Sequence, residues 1–284
     1  MVIDMHVHPG FIAEIAGDPE RVAFRRKHFG LYKQHIWPLK LALMQMEAAG
    51  IEKAALMPED LTTGCGDTIV SNEEIRQLVD LAPERFIGFA SVDPHRPDAE
   101  ETLEYAFEQL HLSGLRMNPS TQRFRPNDGI AEPLYELCMR YNRPVVLDMG
   151  MSLEPDAPSK YALPVLLEDV LLQYPQLRVC ASHFAFPWVA ETAALMLRYR
   201  NLYADTALLY FDSPKGFFDQ VFNRQLGSHW LDRTLRKQVM FASNYPRIEQ
   251  SRMAEALRSL ELRPSTLDLI FGGNAETFLG GEGK

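Results

Sequence analysis

The strongest constraint on the fold is a regular alternation of short apolar segments with amphipathic helical patterns. The apolar segments have the length and composition of strands and cover residues 2–7, 53–57, 86–92, 114–117, 144–149, 177–182, 202–205 and 238–243. Helical patterns cover residues 38–49, 72–81, 97–110, 130–141, 163–174, 187–197 and 249–260. Alternation of this kind predicts an α/β fold with parallel strands.

Two parallel architectures fit this pattern, a closed (β/α)8 barrel and an open doubly wound sheet. An open dinucleotide- or nucleotide-binding sheet would carry G-x-G-x-x-G or G-x-x-x-x-G-K-[ST] after its first strand. The first strand is followed instead by His6-Val7-His8-Pro9-Gly10. Eight strands in 284 residues also match the size of a TIM barrel, for which about 250 residues is typical. We therefore predict a TIM barrel.

The domain organisation is predicted to be simple. No linker or shift in composition divides the chain, so residues 1–284 are expected to form one domain. Two long insertions, 9–37 and 207–237, interrupt the alternation, and residues 264–280 are expected to form a short closing helix and tail.

Charge and cysteine content limit the partners. Lys and Arg number 29 and Asp and Glu 38, which gives a net charge of −9 and argues against nucleic acid as a partner. No apolar run approaches the roughly 18 residues needed to span a bilayer, and the first residues, MVIDMHVH, lack the features of a secretory signal. Cys65, Cys138 and Cys180 form no C-x-x-C pair. These features predict a cytoplasmic protein that acts on a small molecule, without a membrane or nucleic-acid partner.

The first strand carries a metal-type motif. Alternate strand residues face the same way, so Asp4, His6 and His8 are expected to form one column that rises towards the carboxyl end of the strand. Active sites of barrels lie at that end. The two imidazoles could bind one divalent cation, with Asp4 accepting a ring N–H from one of them. The alternative is a pair of ordinary strand histidines.

Polar side chains also end three later strands. Asp148 follows the fifth strand, His183 the sixth and Asn244 the eighth. An unpaired charge at the end of a buried strand is costly, so these side chains are candidates for the same site. The alternative is that Asp148 pairs with an arginine and that His183 caps a loop.

These motifs together resemble the amidohydrolase superfamily. The resemblance rests on His6-x-His8, the Ser182-His183 step, the Ser243-Asn244-Tyr245-Pro246 stretch and the closing GGNAETFLG. It is closest to the amidohydrolase-related branch, which includes aminocarboxymuconate-semialdehyde decarboxylase, resorcylate-type decarboxylases, oxalomesaconate hydratase and lactone hydrolases. It runs from Met1 to about Gly280 and implies a (β/α)8 barrel, with a homodimer expected from the same resemblance. It also implies one divalent metal, held by the two motif histidines, a fifth-strand histidine and an eighth-strand aspartate, with the sixth-strand histidine facing the substrate.

Two residues depart from that family pattern. Asp148 stands where the family has a histidine, and Asn244 stands where it has an aspartate. The formal charge of the ligand set is unchanged, and His6, His8 and Asp148 form a two-histidine, one-carboxylate set. That set suits zinc, our first choice, or manganese or iron(II). Asn244 cannot act as a general base, but it stays a candidate catalytic residue because its amide could lend an oxygen to a metal or donate to an oxyanion. His183 is the first candidate for moving a proton, and Asp148 is the second if it does not bind metal.

The loops indicate an anionic substrate. The insertion at 9–37 is locally basic, with Arg21, Arg25, Arg26, Lys27 and Lys33 against Glu14, Asp18 and Glu20. Arg116 and Asn118 end the fourth strand and Arg247 follows the eighth, and arginine binds carboxylates in a bidentate manner. We therefore expect a small, carboxylated substrate bound by Arg116, Asn118 and Arg247. The leading hypothesis is a metal-dependent hydrolase of such a substrate. The alternatives are a nonoxidative decarboxylase and a catalytically impaired barrel that only binds a ligand.

Overall fold

Parallel strands form the centre of the computed structural model, which describes residues 1–154, 156–207, 210–211, 213–227 and 229–280. Within these ranges the strands are β1 (Ile3–Val7), β2 (Lys53–Leu56), β3 (Glu59–Leu61), β4 (Asp67–Val70), β5 (Phe86–Gly88), β6 (Leu115–Met117), β7 (Val145–Leu147), β8 (Val179–Ala181), β9 (Leu202–Asp205) and β10 (Val239–Met240). Eight of them match the eight predicted strands. The antiparallel hairpin of β3 and β4 was not predicted.

The eight parallel strands close into a barrel. One sheet runs β1-β2-β5 and another runs β10-β9-β8-β7-β6. A parallel bridge between Ala90 and Leu115 joins β5 to β6. On the other side the N–H of Met5 donates to the carbonyl of Phe241 at 2.9 Å, which joins β1 to the segment after β10. The predicted TIM barrel is confirmed.

Helices cover the outside of the barrel. They are α1 (Pro19–Phe29), α2 (Leu39–Ala49), α3 (Thr62–Cys65), α4 (Asn72–Leu81), α5 (Ala99–Glu108), α6 (Pro119–Gln122), α7 (Glu132–Arg140), α8 (Leu167–Gln173), α9 (Val189–Arg198), α10 (Pro214–Phe218), α11 (Gln250–Arg258), α12 (Pro264–Asp268) and α13 (Asn274–Phe278). Short 3-10 segments cover Ala13–Ile15, Ser159–Tyr161, Pro164–Leu166 and Ser182–Ala185, and wider π turns cover Asp219–Gln225, Trp230–Thr234 and Leu269–Gly273. The described part of the chain contains no helix that is both long and apolar enough to cross a membrane.

Local sequence signals fix several helix ends. Ser71 accepts a hydrogen bond from the N–H of Glu74, whose side chain accepts one from the N–H of Ser71, so α4 begins with a capping box. Gly50 ends α2 with φ of +72°, a backbone conformation that residues with a Cβ adopt at a cost. Both ends agree with the sequence pattern.

The core has two layers that follow the alternation of each strand. Val145 and Leu147 pack towards the helices, whereas Val146 belongs to a second apolar cluster with Met5 and Cys180. That cluster fills the barrel interior and includes Phe278 of α13.

The first insertion is tied to the barrel by a buried cation. Arg25 of α1 is fully buried and donates to the carbonyls of Ile69 at 2.7 Å and Ile15 at 2.8 Å, and it pairs with Glu74 at 2.7 Å. Part of the second insertion, at residues 208, 209, 212 and 228, and the last four residues of the predicted domain, 281–284, lie outside the described residues.

Candidate metal centre

The predicted site residues meet at the carboxyl ends of the barrel strands. His6 is in β1 and His8 follows it, while Asp148, His183 and Asn244 follow β7, β8 and β10 respectively. Four of them, His8, Asp148, His183 and Asn244, line a chamber of about 60 Å³, which we call the inner chamber. Its polar lining includes His8, His28, Glu59, Arg116, Asn118, Asp148, His183, Asn244 and Arg247.

Three of these residues form a potential cation-binding group. In the part of the chain that the structure describes, one ligand atom each from His6, Asp148 and His183 lie within 4.8 Å of one another. The predicted ligand His8 adjoins this group, because its Nε2 lies 3.2 Å from Nε2 of His6. Two imidazoles bound tetrahedrally at the usual zinc–nitrogen length would be about 3.3 Å apart. The structure therefore places His6 and Asp148 in one group with His183, and it places His8 beside His6.

Hydrogen bonds to the far side of two rings select their tautomers. Nδ1 of His6 lies 3.4 Å from the Asp205 carboxylate, and Nδ1 of His183 lies 3.0 Å from the carbonyl of Ala207. Both partners are acceptors, so Nδ1 carries the proton in each ring and the Nε2 lone pair points away from the partner. A carboxylate or carbonyl behind the imidazole is the usual arrangement around a metal-binding histidine.

Asp205 also holds the turn that carries His183. Its carboxylate accepts hydrogen bonds from the N–H of His183 at 2.8 Å, the N–H of Ala207 at 3.1 Å and the hydroxyl of Ser182 at 2.9 Å. His183 has φ of +59° and Asn244 has φ of +62°, so both are in the left-handed region that costs energy for residues with a Cβ. Such strain persists only where surrounding contacts impose it, and it is concentrated at functional sites.

The predicted role of Asp4 is wrong. Asp4 pairs with Ala54 and Val7 pairs with Leu56, so an advance of three residues along β1 corresponds to an advance of two along β2. The strand β1 therefore contains a β-bulge. The extra residue breaks the alternation that would have put Asp4 on the side of the histidines. Its carboxylate instead accepts hydrogen bonds from the hydroxyl of Ser243 at 2.6 Å and the side-chain amide of Gln250 at 2.7 Å. Asp205 takes the position behind His6 that was predicted for Asp4.

A buried network of charges lies beside the cation-binding group. The Arg116 guanidinium bonds to the Asp148 carboxylate on one side and lies 3.1 Å from the Glu59 carboxylate on the other. Glu59 also bonds to Nε2 of His28 at 2.9 Å and to the hydroxyl of Thr121 at 2.9 Å. The side chains of Arg116 and Glu59 are each 2% exposed. Asp148 is thus held by an arginine, as the alternative interpretation proposed, and still belongs to the cation-binding group.

The pKa values follow from this burial and pairing. Burial raises the pKa of Glu59, but the charges of Arg116 and His28 outweigh it, so the net pKa is well below its usual range. Burial lowers the pKa of His28, and the charge of Glu59 outweighs it and gives a raised pKa. Burial and the neighbouring His6 and Arg116 hold the pKa of His8 well below the usual range. Burial also lowers the pKa of His183, which favours a neutral ring.

The three predicted substrate-binding residues line the inner chamber, but they differ in what they contact. Arg116 is occupied by two carboxylates, and the side-chain amide of Asn118 donates to Glu59 at 3.2 Å and to Asp148 at 3.4 Å. Arg247 donates one hydrogen bond, to the carbonyl of Phe29 at 2.6 Å. This contact uses one of the five N–H donors of the arginine side chain. The substrate-binding roles stay predictions. Arg247 is the strongest candidate of the three, because Arg116 and Asn118 already contact Glu59 and Asp148.

The donor set fits a divalent cation. The Glu59 and Asp148 carboxylates share the guanidinium of Arg116, and the buried Asp205 carboxylate lies against His6. These surroundings favour added positive charge. Among the described residues, no hydrogen-bond partner reaches Oδ1 of Asp148 or Nδ1 of His8. The two Nε2 atoms of His6 and His8 face each other across 3.2 Å, which requires a proton or a cation between them.

Two of the residues at this centre were not proposed from the sequence. Asp205 ends the predicted seventh strand, so the strand-end argument applied to Asp148 could have identified it. Glu59 follows β2 after a proline and begins the hairpin strand β3, which the sequence pattern did not indicate.

The fold and the site together define a TIM barrel with a cation-binding group at the carboxyl ends of its strands. The family model described as amidohydrolase matches residues 3–281, so the chain belongs to the amidohydrolase family, a family of enzymes. No curated protein sequence matches the chain.

Several solved structures share the fold. An uncharacterised TIM-barrel protein from Bordetella bronchiseptica is 22% identical, with a TM-score of 0.75 and 98% of each chain covered. A 2,6-dihydroxybenzoate decarboxylase from Rhizobium is 13% identical, with a TM-score of 0.69 and 98% of each chain covered. A 5-carboxyvanillate decarboxylase from Novosphingobium aromaticivorans, complexed with manganese and 4-hydroxy-3-methoxy-5-nitrobenzoic acid, is 17% identical. Its TM-score is 0.66, and 98% of this chain and 96% of that chain are covered.

Proposed function

We propose that this protein is a metal-dependent carboxy-lyase that removes CO2 from a small carboxylated substrate without oxidation. The observation that carries the proposal is Asn244. It lines the inner chamber at the place where the family resemblance implies an aspartate, and its amide has no titratable group with which to deprotonate water. Loss of CO2 needs an electrophile and a proton donor, but it does not need an activated water.

His6, His8 and Asp148 would hold the cation, which we take to be zinc or manganese. A divalent cation bound there would supply a Lewis acid next to the substrate. The manganese in the similar 5-carboxyvanillate decarboxylase supports this choice, and oxygen and imidazole ligands also suit manganese.

The chain's own residues account for substrate orientation and proton transfer. Arg247 would bind the substrate carboxylate with the donors that Phe29 does not use. As the bond to CO2 breaks, its electron pair stays on the substrate carbon, which takes a proton from Nε2 of His183. Because burial lowers the pKa of His183, Nε2 must first take up that proton from solvent. The Ala207 carbonyl keeps the other ring nitrogen protonated throughout, so Nε2 alone exchanges the proton.

Hydrolysis is the second candidate, and the state of His183 favours it. Its pKa is lowered by burial, so the neutral ring offers an Nε2 lone pair that could accept a proton from water. In that case the small carboxylated substrate would be a lactone or an amide. A third possibility, ligand binding without turnover, predicts that the chain retains no cation.

The test is a product screen on protein loaded with Mn²⁺ or Zn²⁺. Aromatic acids such as 2,6-dihydroxybenzoate and 5-carboxyvanillate are assayed for released CO2, and lactones and amides for ring or bond opening. The proposal expects CO2 from at least one acid and no lactone or amide hydrolysis. Hydrolysis without CO2 release would overturn it in favour of the second candidate. Absence of both, with the cation bound, would also refute it.

A further inference from the structure

The inner chamber is too small to hold an aromatic acid by itself. Its volume of about 60 Å³ is well below the roughly 150 Å³ of a cavity that binds benzene. Binding pockets for small molecules usually measure about 300–1,000 Å³. A substrate that reaches the cation-binding group must therefore extend into other space.

A larger cavity adjoins the inner chamber. This outer cavity has a volume of about 630 Å³ and lies between α1, α3 and the segment around Arg123. His28 and Glu154 line both the inner chamber and the outer cavity. The two spaces are therefore neighbours, and together they reach the size of an ordinary ligand site.

The partition between the two spaces is made of polar side chains. His28 bonds to Glu59 at 2.9 Å, and Thr121, which lines the outer cavity, bonds to the same carboxylate at 2.9 Å. Glu59 itself lines the inner chamber. His28 is held by its ion pair with Glu59. A ligand that spans both spaces has to displace that contact, whereas the contact between Thr121 and Glu59 can stay in place.

The lining of the outer cavity combines apolar surface with two cations and three carboxylates, those of Asp93, Glu154 and Asp156. The Glu154 carboxylate already accepts a hydrogen bond from the hydroxyl of Ser152. Phe24 and Leu61 provide apolar walls, and Lys27 and Arg123 provide positive charge. Asp93, which also lines it, is already bonded to the N–H of Thr63 at 3.0 Å and to the N–H of His95 at 3.0 Å. An apolar body fits the apolar walls, and an anionic or acceptor group at its far end complements the lining where that group lies against Lys27 and Arg123.

We propose that the outer cavity is a binding subsite for the non-reacting end of an elongated substrate. This proposal rests on the proposed function only in placing the reacting carboxylate in the inner chamber. The substrate class is an amphiphilic acid: an apolar or aromatic body of at least two rings' length, with a second polar or anionic group at the distal end.

Binding of three probes to the manganese-loaded protein tests the subsite by calorimetry: benzoate, para-phenylbenzoate and the derivative of para-phenylbenzoate with a second carboxylate on the far ring. We expect para-phenylbenzoate to bind at least about tenfold more tightly than benzoate, because its second ring buries apolar surface. The second carboxylate should tighten binding by about a further five-fold through Lys27 and Arg123.

Two substitutions separate this subsite from a general effect on the enzyme. Gly64 lines the outer cavity, and a Cβ there would meet no atom within 4 Å, so Gly64→Phe has room for its first side-chain atom and adds a ring at the cavity wall. It should reduce the affinity for para-phenylbenzoate much more than that for benzoate, because the single ring of benzoate reaches only the part of the outer cavity beside His28 and Glu154. Lys27→Met should weaken only the probe with two carboxylates. The matched controls are Gly129→Phe, where a Cβ is equally unobstructed, and Lys33→Met on the same insertion.

Equal affinity of the parent protein for benzoate and para-phenylbenzoate would overturn the subsite, as would an equal effect of Gly64→Phe on both. These outcomes do not depend on turnover. If the dependence on probe length holds but no acid releases CO2, the subsite stands and the proposed reaction fails. If small acids release CO2 but probe length has no effect, the reaction stands and the subsite fails.

Discussion

Replacement of Arg116 by leucine tests whether the buried charge network supports the site. Arg116 is the cation between Glu59 and Asp148. The side chains of Arg116 and Glu59 are each 2% exposed, and that of Asp148 is 10% exposed. Leucine keeps apolar volume in the core but leaves both carboxylates without the guanidinium. Glu59 retains hydrogen bonds from His28, Thr121 and Asn118. Among the described residues, the Asp148 carboxylate retains one long hydrogen bond, at 3.4 Å, from Asn118.

The magnitude follows from the burial of the pair. Removal of one partner from a buried ion pair costs about 3–5 kcal/mol, because the remaining charge is left uncompensated. For a chain of this size each kcal/mol corresponds to about 2–4 °C in the melting temperature, so Arg116→Leu should lower it by about 6–20 °C. A bound divalent cation should reduce this loss, since it compensates Asp148 in place of the guanidinium.

The assay is thermal unfolding followed by circular dichroism, with and without Mn²⁺. The control is Arg140→Leu, which removes an ion pair with Glu104 at the surface. The Arg140 side chain is 63% exposed and the Glu104 side chain is 42% exposed. Such pairs are worth at most about 1 kcal/mol. If Arg116→Leu destabilises the protein no more than Arg140→Leu does, the network is not the support that we infer. Equal losses with and without Mn²⁺ would contradict the role of Asp148 beside the cation.

Three further changes probe the centre. Asp205→Asn replaces the carboxylate that accepts from Nδ1 of His6 and should weaken cation affinity about 10- to 100-fold, measured by competition with a chelator. The double variant Asp148→His, Asn244→Asp restores the family residues, but it should lower cation affinity by at least about tenfold, because the buried guanidinium loses a counter-charge beside the cation. His28→Asn tests the ion pair with Glu59. Since the pKa of His28 is raised, its stabilisation is complete below the unfolded-state value of about 6.5 and is lost as the pH rises through the raised pKa. The loss of unfolding free energy in this variant should be about 1–2 kcal/mol near pH 6 and should shrink towards pH 9, measured by urea denaturation.

The two single substitutions have matched controls. Asp67→Asn alters an exposed aspartate, and His111→Asn alters an exposed histidine. Equal chelator sensitivity of the Asp205 and Asp67 variants would remove the role of Asp205. Higher cation retention in the double variant would show that the present ligand set is a degenerate version of the family's. A pH-independent effect of His28→Asn would show that the pair with Glu59 is held by a neutral imidazole.

The barrel could be predicted because it depends on repeated, local patterns. Each parallel strand is buried on both faces, so its sequence is a short apolar run. In the helices between the strands, apolar residues recur at helical spacing. The hairpin of β3 and β4 escaped prediction because Glu59–Leu61 is a three-residue strand with two acidic side chains. Its carboxylates are stabilised by residues distant in sequence, such as Arg116 and Arg96.

The site was predictable where it follows strand ends and not where it depends on register. His6, Asp148 and His183 follow from the rule that the ends of parallel strands converge. Asp4 was misplaced because one extra residue in β1 reverses the facing of the side chains before it, and no residue type in the MVIDMHVH segment marks that bulge. The pairing of Arg116 with two carboxylates joins residues 57 and 32 positions apart and could not be read from either segment alone.

The central claim is that His6, His8 and Asp148 bind one divalent cation. The most direct measurement is the metal content of the purified chain after loading with Mn²⁺ or Zn²⁺ and extensive dialysis, determined by mass spectrometry for the parent protein and for His6→Ala. We predict about one equivalent per chain for the parent and less than about a tenth for His6→Ala. A parent protein that retains less than about a tenth of an equivalent, or a His6→Ala variant that retains as much as the parent, would contradict the claim.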